Sequence, residues 1–101
     1  MAQPAQTDWQ LYVLRCGDGS YYTGITTDVQ RRLAQHRAGK GARYTAMRPP
    51  LDLVGLWRYP DHSTALKEEA AFKALPRPRK AHYIEQRLPF HGAPFALEAV
   101  S

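Results

Sequence analysis

The sequence predicts a mixed α+β domain around a small sheet, with elements in the order β-β-α-(α)-β-α-α. Three observations predict it. Two runs rich in β-forming residues are joined by a glycine turn. A capped segment with an inward apolar stripe follows them. An alternating run over residues 51–59 then precedes two helical stretches.

The first run, Trp9-Gln10-Leu11-Tyr12-Val13-Leu14-Arg15, sets Leu11, Val13 and Arg15 against Gln10, Tyr12 and Leu14. Gly17-Asp18-Gly19-Ser20 is a turn cluster and Tyr21 to Thr26 a second strand, so the pair reads as a β-hairpin. Thr27 can cap the helix that follows, with Gln30 three positions on as a capping box requires. Val29 and Leu33 face inward and Gly39 is a C-terminal stop. Lys40 to Arg48 is a short basic segment, with room for a helical turn, closed by Pro49-Pro50. Leu51, Leu53, Gly55 and Trp57 fall on one face of a third strand. A helix starts at Pro60-Asp61-His62-Ser63 and runs to about Leu75. Another runs from Arg79 to Leu88, with Pro78 acceptable in its first turn. Residues 1–8 read as a flexible N-terminus, 9–88 as the domain, and 89–101, which have no clear period, as a loosely packed tail.

The 101 residues suit one domain, and a chain of this size buries roughly two-thirds of its unfolded surface, enough for a modest core without staples. The single cysteine, Cys16, cannot form an internal disulfide, which fits a reducing compartment. No apolar run approaches the roughly 20 residues of a membrane span, and the start lacks the pattern of a secretory signal, so the expected setting is the cytoplasm. The net charge is +5, and between Val29 and Leu51 there is no acidic residue, whereas Arg31, Arg32, Arg37, Lys40, Arg43 and Arg48 all fall there, interleaved with His36 and Tyr44. Such a stretch attracts polyanions by counterion release, which points to nucleic acid as partner. Scattered histidines and one cysteine give no zinc spacing, and there is no glycine-rich nucleotide loop.

The hairpin sets Tyr12 and Tyr22 on neighbouring strands. Arg32 and His36 are four residues apart on one helical face, and a later helix offers Glu68 and Glu69. A phosphodiesterase uses such parts. Guanidinium holds phosphate oxygens in a fork, a carboxylate holds Mg²⁺ or Mn²⁺, and a phenol or imidazole moves the proton. Singly, each has a duller explanation: strand packing for the tyrosines, solvated charge for Arg32 and the glutamates. The joint arrangement favours the functional one.

Leu11-Tyr12-Val13 followed by Tyr22-Thr23-Gly24 resembles the paired signature of the GIY-YIG nuclease superfamily. The run Gly24 to His36, the run Gly39-Lys40-Gly41-Ala42-Arg43-Tyr44-Thr45, and Glu69-Ala70-Ala71-Phe72-Lys73 resemble its small single-domain (UPF0213) branch. The resemblance covers about Leu11 to Ile84. It implies a three-stranded antiparallel sheet flanked by helices, and a divalent-metal endonuclease with one Mg²⁺ or Mn²⁺ ion acting on DNA rather than RNA, branched, flapped or single-stranded forms included. It implies that Tyr12 acts as, or activates, the general base and that Tyr22 orients the phosphate and its water. Arg32, ten residues after Tyr22, matches the family's arginine, His36 the Tyr or His near the nucleophile, and Glu69 the metal ligand. Helical geometry does not separate Glu68 from Glu69; the family spacing to Lys73 selects Glu69. A base role for Tyr12, whose free pKa is about 10, requires Arg32, the metal or both to favour phenolate. Arg31, Arg37, Lys40, Arg43, Tyr44, Arg48 and Lys73 are the expected nucleic-acid contacts.

The chain departs from the pattern in places. Val13 and Thr23 stand for Ile, Leu11 for the first Gly, and Ile25 where some members carry Lys. Target choice in the superfamily usually comes from appended domains, and none is visible here, so weak selectivity or a targeting partner is expected. The alternative reading is a non-catalytic module that binds nucleic acid with the same basic groove.

Overall fold

The computed structural model describes residues 8–100, and side chains as far as residue 98. The flexible stretch expected over residues 1–8 lies, apart from Asp8, outside the described residues. The elements are β1 (Trp9–Arg15), β2 (Tyr21–Thr26), α1 (Val29–Arg37), α2 (Arg43–Ala46), β3 (Asp52–Tyr59), α3 (His62–Lys73), α4 (Arg77–Glu85) and a closing 3₁₀ turn at Leu97–Val100. The three strands form one antiparallel sheet in the order β2-β1-β3, so the α+β architecture is the expected one.

As the central strand, β1 buries both its faces, which is why Leu11 and Val13 alternate with equally buried Tyr12 and Leu14. One face joins Leu11, Val13, Trp57 and Tyr59 to Phe72 of α3 and to Phe90, with Tyr83 and Ile84 of α4 against them. The other joins Tyr12, Leu14 and Leu56 to Leu51 and, from α1, to Val29 and Leu33.

Three local expectations are corrected. The cap of α1 is Asp28, not Thr27: its Oδ1 accepts the Arg31 amide at 3.1 Å, and Thr26 Oγ1 accepts the Asp28 amide at 3.1 Å. A carboxylate at the N-cap also meets the positive end of the helix dipole. In β3 the single apolar face is broken. Val13 pairs with Gly55 but Leu14 with Leu53, leaving Val54 as the extra residue of a bulge. A one-residue insertion reverses every side chain beyond it. Leu51 and Leu53 therefore pack with Leu14, while Trp57 packs on the opposite face. The last helix starts earlier and ends earlier than expected, at Arg77–Glu85.

The segment after Leu88, expected to be a loose tail, is packed on the sheet. Phe90 is 1% exposed, and its carbonyl accepts the Tyr59 hydroxyl at 2.6 Å. The Trp57 indole donates to the Leu88 carbonyl at 2.9 Å. Phe95 bridges to Trp57 and the Ala96 amide donates to the Leu56 carbonyl at 2.8 Å, so this segment covers the outer edge of β3. It supplies partners that buried indole and phenol groups need, a demand with no sequence period.

Candidate active site

Tyr12 leaves the centre of β1 on the α1 side and is 1% exposed. Its neighbour across the hairpin is Gly24. A Cβ at Gly24 would lie 2.5 Å from the Tyr12 hydroxyl oxygen, so the phenol occupies the space a side chain there would fill. α1 is aimed over this phenol by a side-chain bond from the same strand: Gln10 Oε1 accepts the Val29 amide at 2.9 Å. At the far end α1 closes with two bonds, Gly39 N to His36 O and Lys40 N to Gln35 O, across Gly39 in the left-handed region as the sequence predicts.

The helix therefore presents Arg32 and His36 to the sheet. His36, 1% exposed, has Nε2 at 2.8 Å from the Tyr12 hydroxyl and Nδ1 at 2.8 Å from Thr45 Oγ1. Arg32 donates to Gln35 Oε1 at 3.0 Å and to the Gly41 carbonyl at 2.9 Å. Tyr22 sets its ring edge-on to His36, with centroids 5.1 Å apart, and stacks with Tyr44 at 6.1 Å. The Arg48 guanidinium lies 3.8 Å above the Tyr44 ring, held by Asp18 Oδ2 at 3.0 Å.

The two glutamates part company. Glu68 pairs with His91 of the C-terminal segment and its charge acts on Tyr59. Glu69 pairs with Lys73 at 3.2 Å and its charge acts on Tyr12. Helical geometry alone left both open; in the fold the charge of Glu69 reaches Tyr12 and that of Glu68 reaches Tyr59.

Burial sets the protonation states. Loss of solvent pushes the Tyr12 phenol above its ordinary 10.0, and the nearby Arg32 guanidinium, pulling it down, does not offset this. Arg32 favours the phenolate but burial outweighs it, so with Arg32 alone Tyr12 is a phenol near neutral pH. Burial first, then the positive charge of Arg32, hold His36 below its ordinary 6.5, so the imidazole is neutral. A neutral base in contact with a buried phenol can exchange a proton with it.

The expected nucleic-acid contacts fall into two groups. Arg31, Lys40 and Arg43 are exposed, and Arg31 shares a cleft with Arg32. Arg37 instead donates to the Leu51 carbonyl at 2.8 and 3.2 Å, while Arg48 holds Tyr44. Lys73 is tied to Glu69. A second cleft, lined by Tyr21, Tyr22, Thr23, Tyr44, Lys73 and Lys80, brings α4 to the site. In the sequence Lys80 belongs with Arg77 and Arg79 to a cationic cluster at a helix start, which reads first as solvated charge and second as an extension of the groove; in the fold it lines this cleft. Thr45 and Gln10 were missed; the basic motif ending at Thr45 was the available signal.

The profile of the GIY-YIG catalytic domain matches residues 8–83 of the chain. The chain is 53% identical over 75 residues to a UPF0213 protein of Cupriavidus pinatubonensis, covering 74% of this chain and 83% of that one. It is 52% identical over 77 residues to a UPF0213 protein of Streptococcus sanguinis, covering 76% and 88%. Among solved structures it is similar to the solution NMR structure of a UPF0213 protein from Bacillus halodurans, with 42% identity, a TM-score of 0.53 and coverage of 79% of this chain and 85% of that one. A second NMR structure, of a protein from E. faecalis, gives 39% identity, a TM-score of 0.56 and coverage of 85% and 90%. The class defined by this fold and site is that of the GIY-YIG nuclease domains. Within it, the chain belongs to the UPF0213 group of the GIY-YIG family.

Proposed function

We propose that the chain is a divalent-metal-dependent endonuclease that hydrolyses phosphodiester bonds in nucleic acid, DNA in preference to RNA. The observation that carries the reading is convergence: Tyr12 of β1, Tyr22 of β2, Arg32 and His36 of α1 and Glu69 of α3 act on one another through hydrogen bonds, ring contacts and charge. Their separate dull explanations do not account for that meeting.

Mg²⁺ and Mn²⁺ take hard oxygen donors, and Mg²⁺ commonly uses one or two carboxylates with water and phosphate completing its shell. Among the described residues no three His, Cys, Asp or Glu side chains form a metal cluster, so the fit is to a site of this sparse kind. The Glu69 carboxylate, only 16% exposed and accompanied by the Lys73 ammonium, is the donor that suits it. When bound, such an ion supplies Lewis-acid polarisation of a phosphoryl oxygen. The chain's own residues do the rest. Arg32 faces the charge that develops on phosphorus-bound oxygens, and Tyr22 orients the phosphate. The Tyr12 oxygen takes a proton from the attacking water as its own hydrogen passes to His36 Nε2, and water adds in line with the departing ester oxygen. Arg31, Lys40 and Arg43 contact flanking phosphates, with Lys73 joining them when it leaves Glu69.

A cytoplasmic setting belongs to the same proposal. Among the described residues no helix is long and apolar enough to cross a membrane, and Cys16 is a free, buried thiol. A protein partner for targeting is part of the same proposal.

The test is cleavage of labelled duplex, single-stranded and branched DNA, and of RNA, with Mg²⁺ or Mn²⁺ and with chelator. Metal-dependent cutting abolished in both Glu69→Ala and Arg32→Ala supports the reading. Cutting that survives in both sinks the site assignment. Salt-sensitive binding without cutting on any substrate replaces it with the non-catalytic module.

A further inference from the structure

Thr45 has no part in the reaction as written above, yet it is 1% exposed and touches the imidazole that the reaction needs. Its hydroxyl has one hydrogen to give and two neighbours. His36 Nδ1 lies at 2.8 Å and the Ala42 carbonyl oxygen at 3.1 Å. A carbonyl can only accept, and with the hydroxyl hydrogen directed to Ala42 O, which also takes the Ala46 amide at 3.0 Å, Oγ1 has only lone pairs left for Nδ1. Thr45 Oγ1 therefore meets Nδ1 as an acceptor, and Nδ1 carries the hydrogen. A neutral imidazole has a single N–H, so Nε2 is left with a lone pair directed at the Tyr12 hydroxyl 2.8 Å away.

We propose that Thr45 is a positioning residue that fixes His36 as the Nδ1–H tautomer, so that Nε2 accepts the hydrogen of Tyr12. Its catalytic consequence rests on the nuclease reading; the hydrogen-bond direction does not. In the reversed chain, Nε2–H would donate to Tyr12 and Nδ1 would accept from Thr45. That arrangement leaves the Ala42 carbonyl with the Ala46 amide alone and leaves His36 unable to receive a proton from Tyr12. The doubly protonated ring is opposed by burial and by the Arg32 charge. The loop carrying Thr45 also fixes the ring in space. A Cβ at Gly41 would lie 2.4 Å from Nδ1, and Arg32 holds the Gly41 carbonyl at 2.9 Å, so the loop passes flush against the imidazole.

The experiment is ¹⁵N NMR of the full chain labelled in histidine, at a pH where His36 is neutral. The expected spectrum has a protonated-type Nδ1 and an unprotonated-type Nε2 for His36, identified by loss of the signals in His36→Gln. Thr45→Val keeps the shape and removes the acceptor. It is expected to raise the Nε2–H population and to lower kcat about 10- to 100-fold, as loss of an orienting partner of a histidine commonly does, with KM little changed. Thr45→Ser retains the hydroxyl and restores both readouts. A wild-type Nε2–H ring, or shifts unmoved in Thr45→Val, overturns the proposal. If Thr45→Val does not fold, the wild-type and Thr45→Ser spectra decide it, since both must show the Nδ1–H form. If the tautomer is as assigned and no substrate is cut, the nuclease reading fails and the tautomer assignment stands.

Discussion

The two faces of the sheet share the same strands and differ in what they bury. Beneath α3 and α4 the face is closed with aromatic rings: Trp57, Phe72, Tyr83 and Phe90 meet at centroid distances between 5.0 and 6.4 Å. Beneath α1 the face closes around a phenol, an imidazole and a hydroxyl joined by hydrogen bonds. The first arrangement gains from apolar area and dispersion and is indifferent to proton position. The second sacrifices part of that gain, and each polar atom must find its partner in a water-poor site. Both faces are comparably buried, so burial alone does not mark the site; buried polar chemistry does.

Substitutions on the two faces separate these roles. Phe72→Ala on the aromatic face is expected to lower unfolding free energy by about 3–5 kcal/mol, read by denaturant titration. Tyr12→Phe, on the polar face, is expected to lower cleavage about 10²- to 10⁴-fold, about 3–5 kcal/mol of activation free energy. Its stability should fall by only about 1–3 kcal/mol, because His36 Nε2 loses its partner. Should Tyr12→Phe unfold the chain as readily as Phe72→Ala, the division between the faces is wrong.

Gly24→Ala tests how tightly the polar face is set. The new methyl meets the Tyr12 oxygen at 2.5 Å and the adjoining ring carbon at 2.7 Å, so the phenol must leave His36 or the hairpin must open. A cost of about 1–3 kcal/mol is expected, with loss of cleavage greater than the loss of folded protein explains. Retained wild-type cleavage in a folded Gly24→Ala protein would show that the Tyr12–His36 contact is dispensable.

Acid should weaken the polar face through His36. Its folded pKa is below 6.5, so near and below that value the unfolded chain binds more protons than the folded one. Stability from this group is present above 6.5 and is lost as pH falls toward the lowered folded value. Thermal melts between pH 7.5 and pH 5 should fall less steeply in His36→Gln than in wild type; equal slopes would show that His36 is not held neutral by burial. The smallest effect is expected for Arg48→Ala. Its bond to Asp18 is exposed, so little stability is at stake. Loss of its guanidinium from above the Tyr44 ring should appear as weaker binding of nucleic acid rather than as unfolding.

Much of this was legible in the sequence because the signals were local. The hairpin announced itself by alternation and a glycine turn, and Gly39 by its place after the α1 stripe. What failed was local competition: Asp28 outranked Thr27 as cap, and the bulge at Val54 split an apolar run that looked continuous. The packing of residues 89–98 was invisible, because Phe90 and Phe95 answer to Trp57 and Tyr59 more than thirty residues earlier rather than to their own neighbours.

The sequence by itself determined the element order, the basic stretch and the ordered motifs that single out five candidate residues, since strand alternation, helical spacing and motif order are properties of neighbours along the chain. Tertiary structure alone decided that Tyr12 and His36 share a hydrogen bond, that burial opposes the Tyr12 phenolate, and that Thr45 touches His36. Those outcomes depend on desolvation and hydrogen-bond direction, which exist only once distant segments have closed around one another.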